Sequence, residues 1–309
     1  TMKKCKEYKL KYFPWRWGDR RDGWRLRNVD PIFSIMPYFM RKRLDSQVYF
    51  DVLLPIDEIE DFIKKHKEDI PGLSMMHIII AAIVRVFSQR PRLNRFIMRN
   101  KLYARNYINI SLMIKRSMTD EGEETVIKLF FRPTDTLQDV VRKVQEALEE
   151  NKSEGESNTI DKLSKFLSGL PPFLMRFISS TMICMDRFGI LPRSLEEISP
   201  WHASFFLSNI GSIGTESVFH HLYEVGTCSM FMAMGRKSTQ TITRRSGEVH
   251  TFKTMQLKFT FDERVADGFY FASSIRSALK LGQQLEKLLS PPEQVVVDDG
   301  VGRKRIDQS

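Results

Sequence analysis

The chain has 309 residues, of which 42% are hydrophobic and 28% are charged, which excludes a disordered or fibrous protein and suffices for one large or two ordinary globular domains. Its net charge of +10 is concentrated at the start, because residues 1–43 contain 13 Lys and Arg against 4 Asp and Glu and the remainder is nearly neutral. The composition therefore predicts a nearly neutral folded body with a basic amino-terminal arm, residues 1–34.

Aromatic side chains are interleaved with the basic residues of this arm, and they admit two interpretations. Such a pattern can neutralise phosphates and stack on bases, as in proteins that bind single-stranded nucleic acids. Alternatively, the arm packs its aromatic residues on its own body or on a neighbouring subunit. We favour the second interpretation and expect no nucleic-acid partner. The aromatic residues are Tyr8, Tyr12, Phe13, Trp15, Trp17 and Trp24.

The three cysteines, Cys5, Cys184 and Cys228, lie far apart and form no Cys-x-x-Cys pair. This spacing provides neither a disulfide framework nor a zinc site, so we expect a reducing compartment and no metal. The amino terminus has no apolar stretch behind its lysines, and no secretory signal is recognisable. These features predict a cytoplasmic location.

The first predicted elements alternate between strand and helix. Apolar residues recur at every second position over residues 48–54, which predicts a strand that ends at Pro55. An amphipathic helix then starts at Asp57, whose carboxylate can cap it. Ser74 starts the next helix, whose apolar run over residues 75–84 is about half the ~20 residues needed to span a membrane.

The middle of the chain predicts a hairpin, a helix and a loop. Residues 107–114 and 125–131 alternate as two antiparallel strands. Thr136 begins a capping box that opens an amphipathic helix. The charged residues 149–157 follow, and of all segments in the chain their composition is the most typical of a flexible loop. The apolar run of residues 170–183 is too short to span a membrane. We expect a helix that covers a core or a subunit contact, with a membrane interface as the alternative.

The last part of the chain predicts more strands and a closing helix. Residues 204–207 and 229–234 are strand-like, a glycine-rich turn lies at residues 211–214, and residues 255–261 alternate again. A final helix covers residues 268–289. Strands and helices interleave without a parallel βαβ rhythm, so the pattern predicts an α/β two-layer sandwich with a mixed β-sheet.

The segment Asp262-Glu263-Arg264-Val265-Ala266-Asp267-Gly268, between the last strand and helix, resembles a known motif. It is similar to the Asp-His-Arg-x-x-Asp-Gly motif of dihydrolipoyl acyltransferase catalytic domains, the core subunits of 2-oxo acid dehydrogenase complexes, whose relatives include chloramphenicol acetyltransferase. Residues 206–214 resemble the family's Thr-Ile-Ser-Asn-Leu-Gly segment, and residues 43–46 and 91–94 resemble its early Lys-Arg-Met and Pro-x-Leu-Asn elements. The combination is fairly specific.

The resemblance covers about residues 35–290 and implies a chloramphenicol acetyltransferase-like fold for this domain. We expect no lipoyl domain before it. Pro291 and Pro292 introduce a tail, residues 291–309, that we predict to be disordered. The resemblance further implies coenzyme A or an acyl-CoA as co-substrate and a homotrimer with its active sites between subunits.

This sequence differs from the family motif at the position of the general base. In the family, the histidine takes the proton from a thiol of coenzyme A or dihydrolipoamide, and here Glu263 stands in its place. A carboxylate is a poorer proton acceptor for a thiol than an imidazole. Glu263 shares strand parity with Phe259 and Phe261, so we expect it to face inward, where loss of hydration would make a carboxylate more basic.

The resemblance assigns roles to other residues. Ser208 matches the hydroxyl that hydrogen-bonds the oxyanion of the tetrahedral intermediate, although a strand-end serine can equally satisfy a backbone group. Asp267 matches a structural carboxylate that pairs with an arginine, Arg43 first and Arg41 next. His220 or His221 could replace the missing base only if the fold brings one of them to the active site between subunits.

These assignments predict a member of the CoA-dependent acyltransferase family, transferring an acyl group between a thioester and a thiol or hydroxyl acceptor. Because Glu263 replaces the histidine, we expect the activity to be lost or altered. The alternative is a non-catalytic homo-oligomeric scaffold or ligand-binding module of the same fold.

Overall fold

The computed structural model describes residues 7–115, 124–153, 168–243 and 246–306. In chain order the strands are β1 (Gly23–Arg25), β2 (Gln47–Pro55), β3 (Arg95–Met98), β4 (Lys101–Arg105), β5 (Ile108–Lys115), β6 (Glu124–Phe131), β7 (Phe205–Asn209), β8 (Met230–Thr243) and β9 (Val249–Asp262). The helices are α1 (Pro31–Phe39), α2 (Asp57–Lys65), α3 (Met75–Gln89), α4 (Leu137–Ser153), α5 (Pro172–Phe188), α6 (Arg193–Ile198) and α7 (Gly268–Gly282).

The large sheet is mixed, as the interleaved elements predict. Its strand order is β2-β9-β8-β7-β5-β6, and β7 runs parallel to both of its neighbours whereas the other pairs are antiparallel. The predicted hairpin of residues 107–114 and 125–131 is present as β5 and β6. A second, three-stranded sheet has the order β1-β4-β3. The predicted α/β class with a mixed sheet is confirmed.

Alternation along the strands gives the large sheet a helix-covered face and an outer face. In β7, Phe205 and Leu207 belong to the main core together with Ile80 of α3 and Phe271 of α7. Phe206, between them, belongs to a separate buried cluster. Because successive strand residues point to opposite faces, this second cluster lies on the outer face of the sheet.

The predicted N-cap residue is correct for one helix and wrong for another. Ser74 caps α3 as predicted, in a reciprocal capping box with His77. At α2 the N-cap residue is Ile56, and the Asp57 carboxylate instead accepts a hydrogen bond from the Lys253 N–H at 2.9 Å. Lys253 belongs to β9, so Asp57 ties the helix to the sheet. The expected cap is wrong because a distant strand offers a competing donor.

Two helices differ in length from the prediction. The capping box of Thr136 and Asp139 opens α4 as predicted, but residues 149–153 of the predicted loop are helical and the rest of that loop lies outside the described residues. Glu and Lys are good helix formers, which favours this extension. α7 ends before the predicted limit of residues 268–289, and a 3-10 turn, Leu285–Leu288, follows it.

The described part of the basic arm is integrated into the body. Tyr12, Phe13 and Trp24 are buried, and β1 places Trp24 opposite Ala104 of β4. Trp15 remains 71% exposed. Trp17 is 81% exposed as well, so the arm packs Tyr12, Phe13 and Trp24 on its own chain, as the favoured interpretation expects, and leaves two tryptophans at the surface.

Residues 291–306 also pack on the body, where the sequence predicts a disordered tail. Asp298 accepts a hydrogen bond from Arg95 Nε at 2.6 Å in a buried ion pair, and Val301 is fully buried. The Ile306 N–H donates to a backbone carbonyl of the amino-terminal segment. Two prolines indicate where a helix stops, but they carry no information about a partner such as Arg95 at a distant position.

Helix α5 lies on the surface and does not cover the core of its own chain. Asp186 is its buried residue, held by Arg20 Nη2 at 3.0 Å and His202 Nε2 at 3.2 Å. Burial acts to raise the pKa of Asp186, but His202 and Arg20 more than offset this effect and hold the pKa below its usual range. For residues 170–183 the structure does not support the first expected alternative, the cover of a core within this chain, and the second, a subunit contact, stays a prediction. Within the described ranges, no helix is long and apolar enough to cross a bilayer.

Candidate active site

Ser208 lies near the end of β7, on the outer face of the large sheet. It is opposite Met113 of β5 and Ala233 of β8, and it shares the face of Phe206 because the two residues are two positions apart. Ser208 is 7% exposed, and its hydroxyl has no hydrogen-bond partner among the described residues. The hydroxyl is therefore available to a group that reaches this face.

Two glycines allow the chain to fold back over the outer face just beyond Ser208. A Cβ atom on Gly211 would lie 2.3 Å from the Gly235 carbonyl oxygen, and one on Gly235 would lie 2.5 Å from the Ser217 nitrogen. Only glycine permits such close backbone approach. The Ser217 hydroxyl then donates to the Ala233 carbonyl at 2.7 Å. These contacts hold the following segment, residues 215–228, against the sheet.

This segment brings His220 to the face that carries Ser208. The His220 ring stacks on Phe231, with 4.1 Å between ring centroids, and strand spacing puts the Cα atom of Phe231 about 8 Å from that of Ser208. His220 Nδ1 lies 2.7 Å from the His221 carbonyl oxygen. Because a carbonyl only accepts, Nδ1 carries the proton and Nε2 is the acceptor. Burial lowers the pKa of His220, which favours this neutral form.

The turn after β9 is built around the fully buried carboxylate of Asp262. Arg264 donates to its two oxygens from Nε at 2.8 Å and from Nη2 at 2.6 Å. Arg43 Nε lies 4.0 Å from Asp262 Oδ2, while Arg43 donates to the carbonyl oxygens of Tyr223 and Gly226. Both arginines are buried. One carboxylate with two guanidinium groups thus connects the turn to the segment that covers the outer face.

Asp267 is not part of this cluster. It is exposed and caps α7, accepting a hydrogen bond from the Tyr270 N–H at 2.7 Å. Arg43 lies beside Asp262, and Arg41 donates to a nearby backbone carbonyl. The predicted pairing of Asp267 with Arg43 or Arg41 is therefore wrong. The physical reason is local, because unpaired N–H groups at a helix start attract a carboxylate.

Glu263 lies one residue beyond β9, between the two members of the buried ion pair. Its N–H donates to the Ser46 carbonyl at 2.9 Å, and the residue is half-buried. Strand parity predicts an inward orientation, but β9 ends at Asp262 and Glu263 belongs to the turn. The rigid cluster beneath it fixes the backbone of this position, while the side chain keeps access to solvent.

Within one chain, Ser208 and Glu263 are far apart. Ser208 is opposite Ala233, and Ala233 is opposite Lys258, four positions before Asp262. With strands about 4.8 Å apart and a rise of about 3.3 Å per residue, the Cα atoms of Ser208 and Asp262 are about 16 Å apart. The two side chains of one chain cannot contact the same acyl carbon. Their combined action requires a second copy.

The cysteines give no indication of a reactive centre. Cys228 is buried, and burial raises the pKa of its thiol, which keeps it protonated. Cys184 is exposed on α5, and Cys5 lies outside the described residues. Over the part of the chain that the structure describes, no three His, Cys, Asp or Glu side chains form a group that could hold a metal.

Sequence reasoning missed the ion pair of Asp262 and Arg264. The available signal was two opposite charges in a turn that directly follows an alternating apolar strand. Such a pattern indicates a turn, but it does not indicate which carboxylate is buried. That assignment depends on Arg43, which comes from the opposite end of the chain.

Residues 194–294 match a family described as 2-oxoacid dehydrogenases acyltransferase (catalytic domain). The matched region contains Ser208, the segment 215–228 and the turn of residues 262–268. A comparison with curated protein sequences finds no match.

Several solved structures have a similar fold. A probable dihydrolipoamide acetyltransferase from Listeria monocytogenes has a TM-score of 0.53 and 12% identity, over 84% of this chain and 95% of the other. The cubic core of the pyruvate dehydrogenase multienzyme complex has a TM-score of 0.53 and 14% identity, over 85% and 94%. Dihydrolipoamide acetyltransferase from Azotobacter vinelandii has a TM-score of 0.50 and 16% identity, over 85% and 94%. At these identities the likeness establishes the fold.

Proposed function

Because residues 194–294 match the 2-oxoacid dehydrogenase acyltransferases and the chain has the fold of their cores, we propose that it is an acyltransferase relative that binds coenzyme A and an acyl thioester, with a lost or altered catalytic step. One observation carries the proposal. The matched region contains the Ser208 hydroxyl, which has no hydrogen-bond partner among the residues that the structure describes, and a turn that presents residue 263 and is held by buried ion pairs.

The reaction class is acyl transfer from a thioester to a thiol or hydroxyl acceptor. A base removes the acceptor proton, the resulting anion attacks the carbonyl carbon, and the carbon–sulfur bond breaks to release a thiolate, which takes up a proton. In the tetrahedral intermediate, after the attack and before the carbon–sulfur bond breaks, the carbonyl oxygen carries a negative charge. Ser208 would donate a hydrogen bond to that oxygen, a contribution worth about 3 kcal/mol for one well-placed donor.

Two side chains are candidates for the base. Glu263 occupies the motif position, but a half-buried carboxylate is a weak acceptor for a thiol proton. His220 is a neutral imidazole whose Nε2 is the acceptor, on the same face as Ser208. We favour weak or absent activity, because residue 263 at the motif position lacks the imidazole.

The active site is proposed to lie between subunits of a homotrimer. The distance of about 16 Å between Ser208 and the end of β9 in one chain supports this arrangement. The fold similarity to the cubic core of the pyruvate dehydrogenase complex supports a symmetric oligomer. We also infer a cytoplasmic location, from the spacing of the cysteines.

Light scattering on the purified chain is expected to give the mass of a trimer or a multiple of three at micromolar concentration. The site is incomplete without a neighbouring chain, because Ser208 and the end of β9 are about 16 Å apart within one chain. A sample that remains monomeric over the whole concentration range would remove the intersubunit site.

Isothermal titration is expected to detect coenzyme A binding by the oligomer. Ser208→Ala should bind it equally well, because a hydrogen bond made only to the oxyanion does not contribute to ground-state binding. A melting curve that matches the parent serves as the folding control. If neither the parent nor Glu263→His binds coenzyme A or transfers an acyl group, the enzymatic proposal fails. The non-catalytic scaffold, which the Glu263 substitution favours, then remains.

A further inference from the structure

Helix α5 exposes an apolar stripe along its length. The stripe consists of residues one or two helical turns apart: Phe173, Phe177, Cys184 and Phe188. Phe173 is 75% exposed and Phe177 is 69% exposed, far more than a side chain that packs on its own chain. Arg176 and Arg187 are also exposed and flank the stripe. An apolar stripe edged with arginines is typical of helices that lie in a membrane interface.

Helix α1 exposes a second apolar surface. Its exposed large side chains are Ile32, Ile35, Tyr38 and Phe39. Phe39, the last residue of the helix, is 83% exposed. The helix is followed directly by Arg41 and Lys42, which are both exposed. The same combination of apolar and cationic side chains therefore recurs on a separate element.

The carboxyl-terminal ends of the two helices meet at one cavity of about 660 Å³. Tyr38 and Arg41 line it from the side of α1, and Arg187 and Phe188 line it from α5. Arg99 comes from the turn between β3 and β4, and its guanidinium lies 4.2 Å from the centre of the Phe188 ring. Exposed guanidinium groups from three elements thus surround one opening.

The backbone of the β3–β4 turn holds Arg99 in this position. Arg99 and Asn100 have φ angles of 50° and 57°, values that residues other than glycine adopt uncommonly. Two consecutive residues with positive φ form the tight hairpin turn that joins Met98 to Lys101. Any side chain at position 99 is therefore directed to the hairpin tip, and here that side chain is cationic.

We propose that the α1–α5 surface, defined as the exposed side chains of α1 and α5 with the arginine-lined cavity between them, docks on an anionic lipid bilayer. The apolar side chains enter the boundary between headgroups and acyl chains, and Arg41, Arg99 and Arg187 bind the phosphate of an acidic headgroup in the cavity. This contact is peripheral. Arg43 and Arg264, which hold the turn of residue 263, also line the cavity, so the surface lies beside the candidate active site.

Charge complementarity favours a bilayer over a second copy of the chain. Glu224 is the carboxylate among the residues that line the cavity, and it accepts a hydrogen bond from the Leu44 N–H. A two-fold contact with the same surface of a second copy would place arginines against arginines. An acidic bilayer provides an apolar layer for the exposed phenylalanines and negative charge for the arginines.

Vesicle flotation tests the proposal with the full-length chain. We expect the protein to bind phosphatidylcholine vesicles that contain phosphatidylglycerol at least ~10-fold more tightly than pure phosphatidylcholine vesicles, and high salt to weaken the binding. Phe173→Glu with Phe177→Glu should abolish binding to both kinds of vesicle. Arg99→Glu with Arg187→Glu should remove the preference for the anionic lipid.

Ile242→Glu with Val249→Glu is the matched control, because it adds the same two charges to exposed apolar positions of β8 and β9. It should bind vesicles like the parent, and all variants should keep the melting temperature of the parent because the changed side chains are exposed. Absence of binding to anionic vesicles, or binding that the two double variants leave unchanged, would overturn the proposal. So would a phenylalanine double variant that loses its oligomeric state but still binds vesicles, since α5 would then be a subunit interface.

Discussion

Replacing Glu263 with histidine is expected to raise thioester-dependent acyl transfer at least ~100-fold, the usual contribution of a positioned general base. The turn that presents residue 263 is held by Asp262, Arg264 and Arg43, and this support is independent of the side chain at that position. An imidazole there would accept a thiol proton near neutral pH, which a carboxylate does poorly. The measurement is the release of free thiol from an acyl-CoA with several thiol and hydroxyl acceptors.

Two controls identify the group that acts as the base. If the parent has activity that Glu263→Gln abolishes, the carboxylate is a working base and the expectation is wrong. If His220→Gln abolishes it instead, the neutral imidazole beside Phe231 is the base. Adding Ser208→Ala to Glu263→His should lower the restored rate by about 100-fold, because the oxyanion loses its hydrogen-bond donor.

Asp262→Asn is expected to lower the free energy of unfolding by about 3–5 kcal/mol, the usual cost of breaking a buried ion pair. The substitution leaves the buried guanidinium groups of Arg264 and Arg43 without their counter-charge, although the shape of the side chain is nearly unchanged. Urea unfolding followed by circular dichroism measures the difference.

Asp267→Asn is the matched control in the same motif. Asp267 is exposed and acts as a helix N-cap, a position at which asparagine is about as good as aspartate, so we expect a loss of less than about 0.5 kcal/mol. Equal losses for the two substitutions, or a larger loss for Asp267→Asn, would contradict the assignment of the structural carboxylate to Asp262.

The motif predicted which residues belong to the candidate site but not the environment of each one. The motif predicts that Glu263, Ser208 and Asp267 occupy family positions, which stays a prediction, and the match over residues 194–294 confirms the family resemblance. The motif could not indicate that Asp267 caps a helix while Asp262 is buried. Both are aspartates near a turn, and their environments differ only because Arg43 approaches one of them from the far end of the chain.

The sequence by itself determined the class of fold, the hairpin of β5 and β6, the strand at residues 48–54 and the start of α3. These features depend on periodicity and capping, which are interactions between residues close together in the chain. Only the tertiary structure decided that residues 291–306 pack on the body, that α5 is exposed, and that His220 shares a face with Ser208. Each of these depends on contacts between residues far apart in sequence, and local patterns carry no information about the partner in such a contact.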